Sequence, residues 1–193
     1  MAEKFCQIII LGAGPPHRGE TPTALRETHV GPPVLNWVLE ALNARIQDVT
    51  FVAGYQAKVI KSTHPELPVV ENPYWKSTGS AASLLLAPFS EGSDLLVCYS
   101  DILFRPRVVE KLKSSEAPVT IVWDSEWKRR YAGRGDEDML NCEKVLVVDG
   151  RVSRLGADIP LDWASGEFVG LVRFNAQATT QLLNLKQHLP DSL

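Results

Sequence analysis

Three short segments of this 193-residue chain bring together residue types that can handle a phosphate chain. The first is Leu11-Gly12-Ala13-Gly14-Pro15-Pro16-His17-Arg18-Gly19-Glu20-Thr21-Pro22. Glycines at such a turn let the backbone come close to a phosphate and aim N–H groups at it, and a nearby arginine neutralises charge. Taken alone, the segment also fits a plain strand-to-loop turn. It is not a dinucleotide fingerprint, because position 17 is histidine and two prolines stiffen the loop, and it lacks the Gly-Lys-Ser/Thr of a P-loop. The second segment is Tyr99-Ser100-Asp101, which closes an apolar run. An exposed carboxylate at the carboxyl end of a buried strand suits Mg²⁺, which takes few carboxylates and otherwise water and phosphate oxygens. A turn or helix-cap aspartate is the other reading. The third is Asn72-Pro73-Tyr74-Trp75-Lys76-Ser77-Thr78-Gly79-Ser80. Hydroxyls and glycine before a helix can bond an anion, a base or a ribose, and they can equally cap the helix.

The elements that must position these segments are legible from periodicity. Cys6 to Leu11 is a short continuous apolar run rich in β-branched residues and closed by Gly-Ala-Gly, the pattern of a strand buried on both faces. A Pro/Gly-rich loop covers Gly12 to Thr23. Val34 to Ala44 has helical spacing, and Val49 to Ala53 is a second strand ending at Gly54, so strand, loop, helix and strand form the seed of a parallel sheet. Further along, Gln56 to Ser62 reads as a short helix, Pro68 to Glu71 as a strand, Ser80 to Leu86 as a helix and Asp94 to Tyr99 as a buried strand. Arg107 to Lys113 reads as helical and Val119 to Trp123 as a strand. Ser125 to Asn141 is charged and aromatic. Asp149-Gly150 between Glu143–Val148 and Arg151–Leu155 signals a hairpin. Phe168 to Phe174 is a strand and Ala176 to Leu189 a closing helix. The expected class is α/β: a Rossmann-like, mostly parallel sheet flanked by helices, with a late antiparallel hairpin, in one domain over 1–193.

Composition narrows the function classes. Twenty Lys plus Arg against 23 Asp plus Glu give a formal net charge of -3, with no basic block of the kind nucleic acid or a membrane surface attracts. Neither partner is expected. Three scattered cysteines, Cys6, Cys98 and Cys142, show no metal-ligand spacing and suggest a reducing compartment. With no signal-peptide pattern and no apolar stretch near the roughly 18 residues of a membrane helix, the expectation is a soluble, cytoplasmic protein.

The loop resembles the Leu-x-x-Gly-x-Gly-x-Arg signature of nucleotidyltransferases, with Arg18 on the signature arginine. Gly54-Tyr55, Asn72-Pro73-Tyr74, Tyr99-Ser100-Asp101-Ile102-Leu103-Phe104, Asp124-Ser125-Glu126-Trp127 and Gly166-Glu167-Phe168-Val169-Gly170-Leu171 extend the likeness across nearly the whole chain. Together they resemble the nucleotidyltransferase fold. More narrowly, they are similar to the cytidylyltransferases found beside or fused to phosphoenolpyruvate mutase in phosphonate biosynthesis, the fosfomycin pathway among them. The resemblance implies CMP transfer from CTP to a small phosphonate, 2-hydroxyethylphosphonate first, with Mg²⁺ and pyrophosphate release. Two departures stand out. Pro22-Thr23 replaces the family's Pro-Lys, which leaves Arg26 or His17 as substitute cations. A second metal-binding aspartate expected near the C-terminus has no clear equivalent before Leu193, which suggests a piece of a longer chain.

The residue roles implied are Asp101 on Mg²⁺ and Arg18 on the triphosphate, these two being the catalytic pair. Leu11, Gly12, Ala13, Gly14, Gly54, Asn72, Ser77, Thr78, Gly79 and Ser80 join Arg18 in holding the nucleotide. Lys128, Arg129, Arg130 and Arg134 are the cations for the acceptor phosphonate, each also readable as a solvated surface charge. Glu167 is assigned to the acceptor or the metal, with a strand-edge glutamate as alternative. Rival readings are a phosphocholine cytidylyltransferase, which Tyr74, Trp75, Trp127 and Tyr131 keep open as an aromatic cage, a sugar-1-phosphate nucleotidyltransferase, and a nucleotide-binding regulatory domain that has lost turnover.

Overall fold

The computed structural model describes residues 6–29, 31–133 and 135–188, with side chains except at 136 and 188. It resolves into two compact units, Met1–Thr120 with Val172–Leu193, and Ile121–Leu171. In chain order the first unit holds β1 (Cys6–Gly12), a two-stranded ribbon of β2 (Glu27–Thr28) and β3 (Gly31–Pro33), α1 (Val34–Leu42), β4 (Val49–Ala53), α2 (Ala57–Thr63), β5 (Val69–Glu71), α3 (Ser80–Leu86), β6 (Asp94–Tyr99) and α4 (Pro106–Lys113). Strand β7 (Val119–Asp124) leads into the second unit, with α5 (Trp127–Arg130), α6 (Asp136–Asn141), β8 (Lys144–Val148) and β9 (Arg151–Gly156). Strand β10 (Gly166–Phe174) leads back to α7 (Ala176–His188).

The first unit is built on parallel strands in the order β5-β4-β1-β6. Ile10 sits level with Phe51 on one side and Cys98 on the other, and Gly12 is level with Ala53. Ile9, Ile10, Phe51, Val52, Leu95, Leu96 and Cys98 are at most 1 % exposed, so both faces of the sheet are covered, as the unbroken apolar runs required. On one face Ile9, Leu11, Val52, Leu95 and Val97 pack with Leu84 and Ala87 at the end of α3 and with Leu182 of α7. Each such side chain contributes about 1.5–3 kcal/mol on burial. A buried ion pair ties β10 to β6: Arg173 donates from Nε (3.0 Å) and Nη2 (2.6 Å) to Asp94 Oδ2, and from Nη1 to the Ser115 carbonyl (3.0 Å). Asp94 Oδ1 accepts the Ala176 N–H at the start of α7 (3.0 Å).

In the second unit β8 and β9 form the hairpin, turning at Asp149 (φ 49°) and Gly150 (φ 73°), and Gly166-Glu167 of β10 pair with Val145 and Lys144. Its core is Trp127, Tyr131 and Cys142, with Met139, Leu161 and Ala164 packed around them. The α/β architecture is as expected: a mostly parallel mixed sheet flanked by helices, with the hairpin late.

Boundaries moved where backbone geometry overrode periodicity. Helix α1 stops at Leu42 because Asn43 adopts φ 51°, and α2 starts at Ala57 because Gln56 adopts φ 49°. Strand β10 begins at Gly166, before Phe168, since only a glycine leaves room there for the Trp123 ring and the Asp124 carbonyl. The β2–β3 ribbon was not foreseen: Glu27-Thr28 and Gly31-Pro32-Pro33 are too short to show a period. The expected end of the last helix at Leu189 lies outside the described residues.

Candidate active site

The carboxyl ends of β1, β4 and β6 finish side by side, and three of the sequence segments converge there. Leu11 is level with Tyr99, and the Ser100 N–H donates to the Leu11 carbonyl (2.9 Å). Gly12 is glycine for a packing reason: a Cβ would meet the Phe51 ring and come within 2.7 Å of the Ser100 hydroxyl. Gly54 is pinned likewise, since a Cβ would lie 2.6 Å from the Ala13 carbonyl and 2.6 Å from Trp75. That carbonyl accepts the Tyr55 N–H (2.8 Å), which stitches the start of the glycine loop to the turn after β4.

Gly14 and Gly79 are different. Neither has a positive φ, and a Cβ on either would meet nothing within 4 Å. The fold itself does not require glycine at these two places, and both backbones face open space. From Gly14 to Glu20 the loop makes no backbone hydrogen bond to another described residue, so its N–H groups are available to a ligand. Arg18 is exposed and forms no ion pair or hydrogen bond with a described residue.

Asp101 follows β6 as an exposed residue, yet its carboxyl is partly desolvated by the surrounding protein, which holds its pKa above the ordinary aspartate value; its own backbone N–H opposes this. The Cys98 thiol is pushed up to about 12, by burial first and then by the Asp101 charge. No described residue ion-pairs with Asp101. A partly desolvated carboxylate without a counter-charge fits a cation that completes its shell with water and phosphate oxygens. No group of three or more His, Cys, Asp or Glu able to hold a metal occurs among the described residues, so any Mg²⁺ here would draw most of its ligands from substrate and solvent.

The Asn72 turn is built from within. Asn72 is 1 % exposed; its Nδ2 donates to Thr78 Oγ1 (2.9 Å) and Ser83 Oγ (3.0 Å), its Oδ1 accepts the Tyr74 N–H (2.9 Å), and its own N–H reaches the Ala53 carbonyl (2.7 Å). Thr78 Oγ1 (2.9 Å) and Ser77 Oγ (3.2 Å) both donate to the Tyr74 carbonyl, and Ser80 Oγ accepts from Tyr99 Oη (3.0 Å). Asn72 therefore shapes the turn, and Gly79 and Ser80 at the start of α3 are its outward part. Trp75, edge-on to Tyr55 at 5.7 Å, floors the Gly54 side. The sequence assigns Ser100 no contact and Trp75 only a place in a possible aromatic cage; the fold puts Ser100 against Gly12 and Trp75 against Gly54.

The acceptor candidates lie in the second unit. Arg130 pairs with Asp124 (2.5 Å), Arg129 with Glu126 (3.6 Å), and Lys128 rests over the Trp127 ring at 5.6 Å. Arg134 lies outside the described residues. Glu167 Oε1 accepts from Tyr131 Oη (2.6 Å), and the Tyr131 pKa is driven up by desolvation and then by this carboxylate. Beneath them Lys144, 1 % exposed, donates to the Leu140 (2.7 Å) and Cys142 (3.3 Å) carbonyls.

Known proteins resemble this chain in fold and in sequence. The inositol-1-phosphate CTP transferase from T. maritima superposes with a TM-score of 0.64 at 21 % identity, over 89 % of this chain and 71 % of that one. A CMP:2-keto-3-deoxy-manno-octonic acid synthetase complexed with CTP superposes with a TM-score of 0.60 at 17 % identity, over 97 % and 79 %. The CTP:phosphoglutamine cytidylyltransferase of Campylobacter jejuni is 24 % identical over 161 residues, 78 % of this chain, which spans 64 % of that relative's length. The pattern of the MobA-like NTP transferase domain matches residues 8–182, and the chain belongs to that family.

Proposed function

We propose that this chain is a cytidylyltransferase that moves CMP from CTP to a small acceptor bearing a phosphonate, 2-hydroxyethylphosphonate first, and releases pyrophosphate. The observation that carries the reading is the pair Gly14 and Gly79: two glycines the fold does not need, facing open space at the strand ends where Asp101 has no counter-charge among the described residues. The names of the relatives from C. jejuni and T. maritima favour CTP as the nucleotide and a phosphorylated small molecule as the acceptor.

In the proposed reaction an ionised acceptor oxygen attacks the α-phosphorus, the new O–P bond forms, and the bond to the β-phosphate oxygen breaks. A phosphonate oxygen is already ionised at neutral pH, so the protein supplies placement and charge neutralisation in place of a general base. Loop N–H groups from Gly12 to Gly14 and the α3 start at Gly79-Ser80 hold the nucleotide. Arg18 reaches the triphosphate, and Asp101 would hold Mg²⁺, which when bound neutralises charge on the phosphate oxygens. Lys128, Arg129, Arg130, Arg134 and Glu167 are proposed for the acceptor. Because Arg130 and Glu167 already have partners, acceptor binding there would exchange those bonds.

A second reading, transfer to a sugar phosphate or another phosphorylated small molecule, is favoured by the same relatives, whose printed acceptors carry a phosphoryl group. The test is pyrophosphate release with Mg²⁺, running CTP, UTP, ATP and GTP against 2-hydroxyethylphosphonate, 2-aminoethylphosphonate, phosphocholine and glucose 1-phosphate. Release with CTP and a phosphonate supports the first reading. Release only with a phosphate ester supports the second, and nucleotide binding without release from any pair would leave a regulatory domain.

A further inference from the structure

Arg26 closes the glycine loop at its far end. Its Nε donates to the Thr21 carbonyl (3.2 Å), while Nη2 is shut away from water with no hydrogen-bond partner among the described residues. Nη2 lies under the loop, 3.6 Å from where a Cβ on Gly19 would stand, and Gly19 has φ 70°. Contrast Arg173, the fully buried arginine of the same unit, whose guanidinium is met by Asp94 and the Ser115 carbonyl. The Arg26 side chain as a whole is only half-buried, but a charged group's donor left unmet and out of water costs more than a lost neutral bond. Such a donor persists where something outside the chain supplies the acceptor. Between Arg18 and Arg26 the segment Gly19-Glu20-Thr21-Pro22-Thr23-Ala24-Leu25 contains no cation. The loop above Arg26, from Gly14 to Glu20, makes no backbone hydrogen bond to a described residue, so little has to break for it to rearrange around a ligand.

We infer that Arg26 is a second phosphate-binding arginine, taking an oxygen of the nucleotide's terminal phosphates while its Nε keeps hold of Thr21. Binding would then satisfy the orphaned Nη2 and fasten the loop over the phosphate chain in one step. This rests on the nucleoside triphosphate reading above, so the probe is chosen to be independent of base, acceptor and turnover. The full chain is titrated calorimetrically with inorganic tripolyphosphate and, separately, with CMP, as wild type, Arg26→Gln and Arg26→Lys. Circular dichroism and thermal melting confirm that each variant folds. Arg26→Gln is expected to weaken tripolyphosphate binding roughly tenfold to a hundredfold while leaving CMP binding unchanged. Arg26→Lys, a point charge without the fork, should fall between the two. Unchanged tripolyphosphate affinity in Arg26→Gln, an equal loss toward CMP, or no tripolyphosphate binding by the wild type would each overturn the assignment. Arg26-dependent tripolyphosphate binding in a protein that turns over no nucleotide with any acceptor would keep Arg26 and remove the transferase reading.

Discussion

The strand-end region of the first unit and the Trp127–Tyr131–Glu167 region of the second are both rich in charged and aromatic residues, yet their polar groups are in opposite states. Around the glycine loop, among the described residues, Arg18 has no partner, Arg26 Nη2 has no acceptor and Asp101 has no counter-ion, and two glycines stand open. Around Trp127 and Tyr131 in the second unit several charged groups are already engaged: Arg130 with Asp124, Arg129 with Glu126, Glu167 with Tyr131, and Lys144 with two carbonyls. Unmet polar groups are costly in a folded chain and mark where a ligand completes the structure; met ones hold the chain together whether or not a ligand comes. The contrast separates groups waiting for substrate from groups that would have to be released for it.

The strongest break of that contrast is Asp101→Asn. If Asp101 is the metal-holding group, turnover should fall on the order of 10³-fold or more with the circular dichroism spectrum unchanged; an active variant would place the cation elsewhere. Next come the glycines. Gly12→Ala drives a methyl into Phe51 and Ser100 and should cost about 1–3 kcal/mol of stability in chemical denaturation. Gly14→Ala and Gly79→Ala should leave stability alone and weaken nucleotide binding. Equal stability losses at all three would erase the distinction between packed and ligand-facing glycines. A third comparison uses Tyr131→Phe, which strips Glu167 of its donor and should destabilise the fold by about 1 kcal/mol in urea melts. An increase in acceptor affinity on the same change would show that the bond is exchanged on binding.

The smallest effect follows from the raised pKa of Asp101. A carboxyl whose folded pKa lies above its unfolded value favours folding most when protonated, and that contribution is lost as pH rises through the folded value. At neutral pH the ionised Asp101 therefore burdens the metal-free protein, and Asp101→Asn should melt slightly higher than wild type. The difference should shrink toward zero or reverse as the pH is lowered through that value. A lower melting temperature for the variant at neutral pH would mean that the carboxylate has a stabilising partner.

Much of this was open to a reader of the sequence. The short, largely apolar runs Cys6–Leu11, Val49–Ala53 and Asp94–Tyr99, each bounded by turn residues, announce strands covered on both faces. Asp149-Gly150 announces the hairpin, because few residue pairs tolerate two successive positive φ values. Ser125 to Asn141 was legible only as charged and aromatic; its two helices are four and six residues long, too short for a period. The signature glycines and Arg18 were likewise visible as a loop, but their differing duties were not.

By itself, then, the sequence determined the strand order along the chain, the α/β class and the placement of its glycine loop, Asn72 turn and Asp101 after successive strands, all of which depend on local period and turn chemistry. Only the tertiary structure decided that Gly12 and Gly54 are packed while Gly14 and Gly79 are open, that Asn72 is spent on its own turn, and that Arg26 holds a donor unmet. The glycine distinctions depend on neighbours distant in sequence, Ser100 beside Gly12 and Trp75 beside Gly54, and the duties of Asn72 and Arg26 on side-chain geometry; sequence spacing expresses neither.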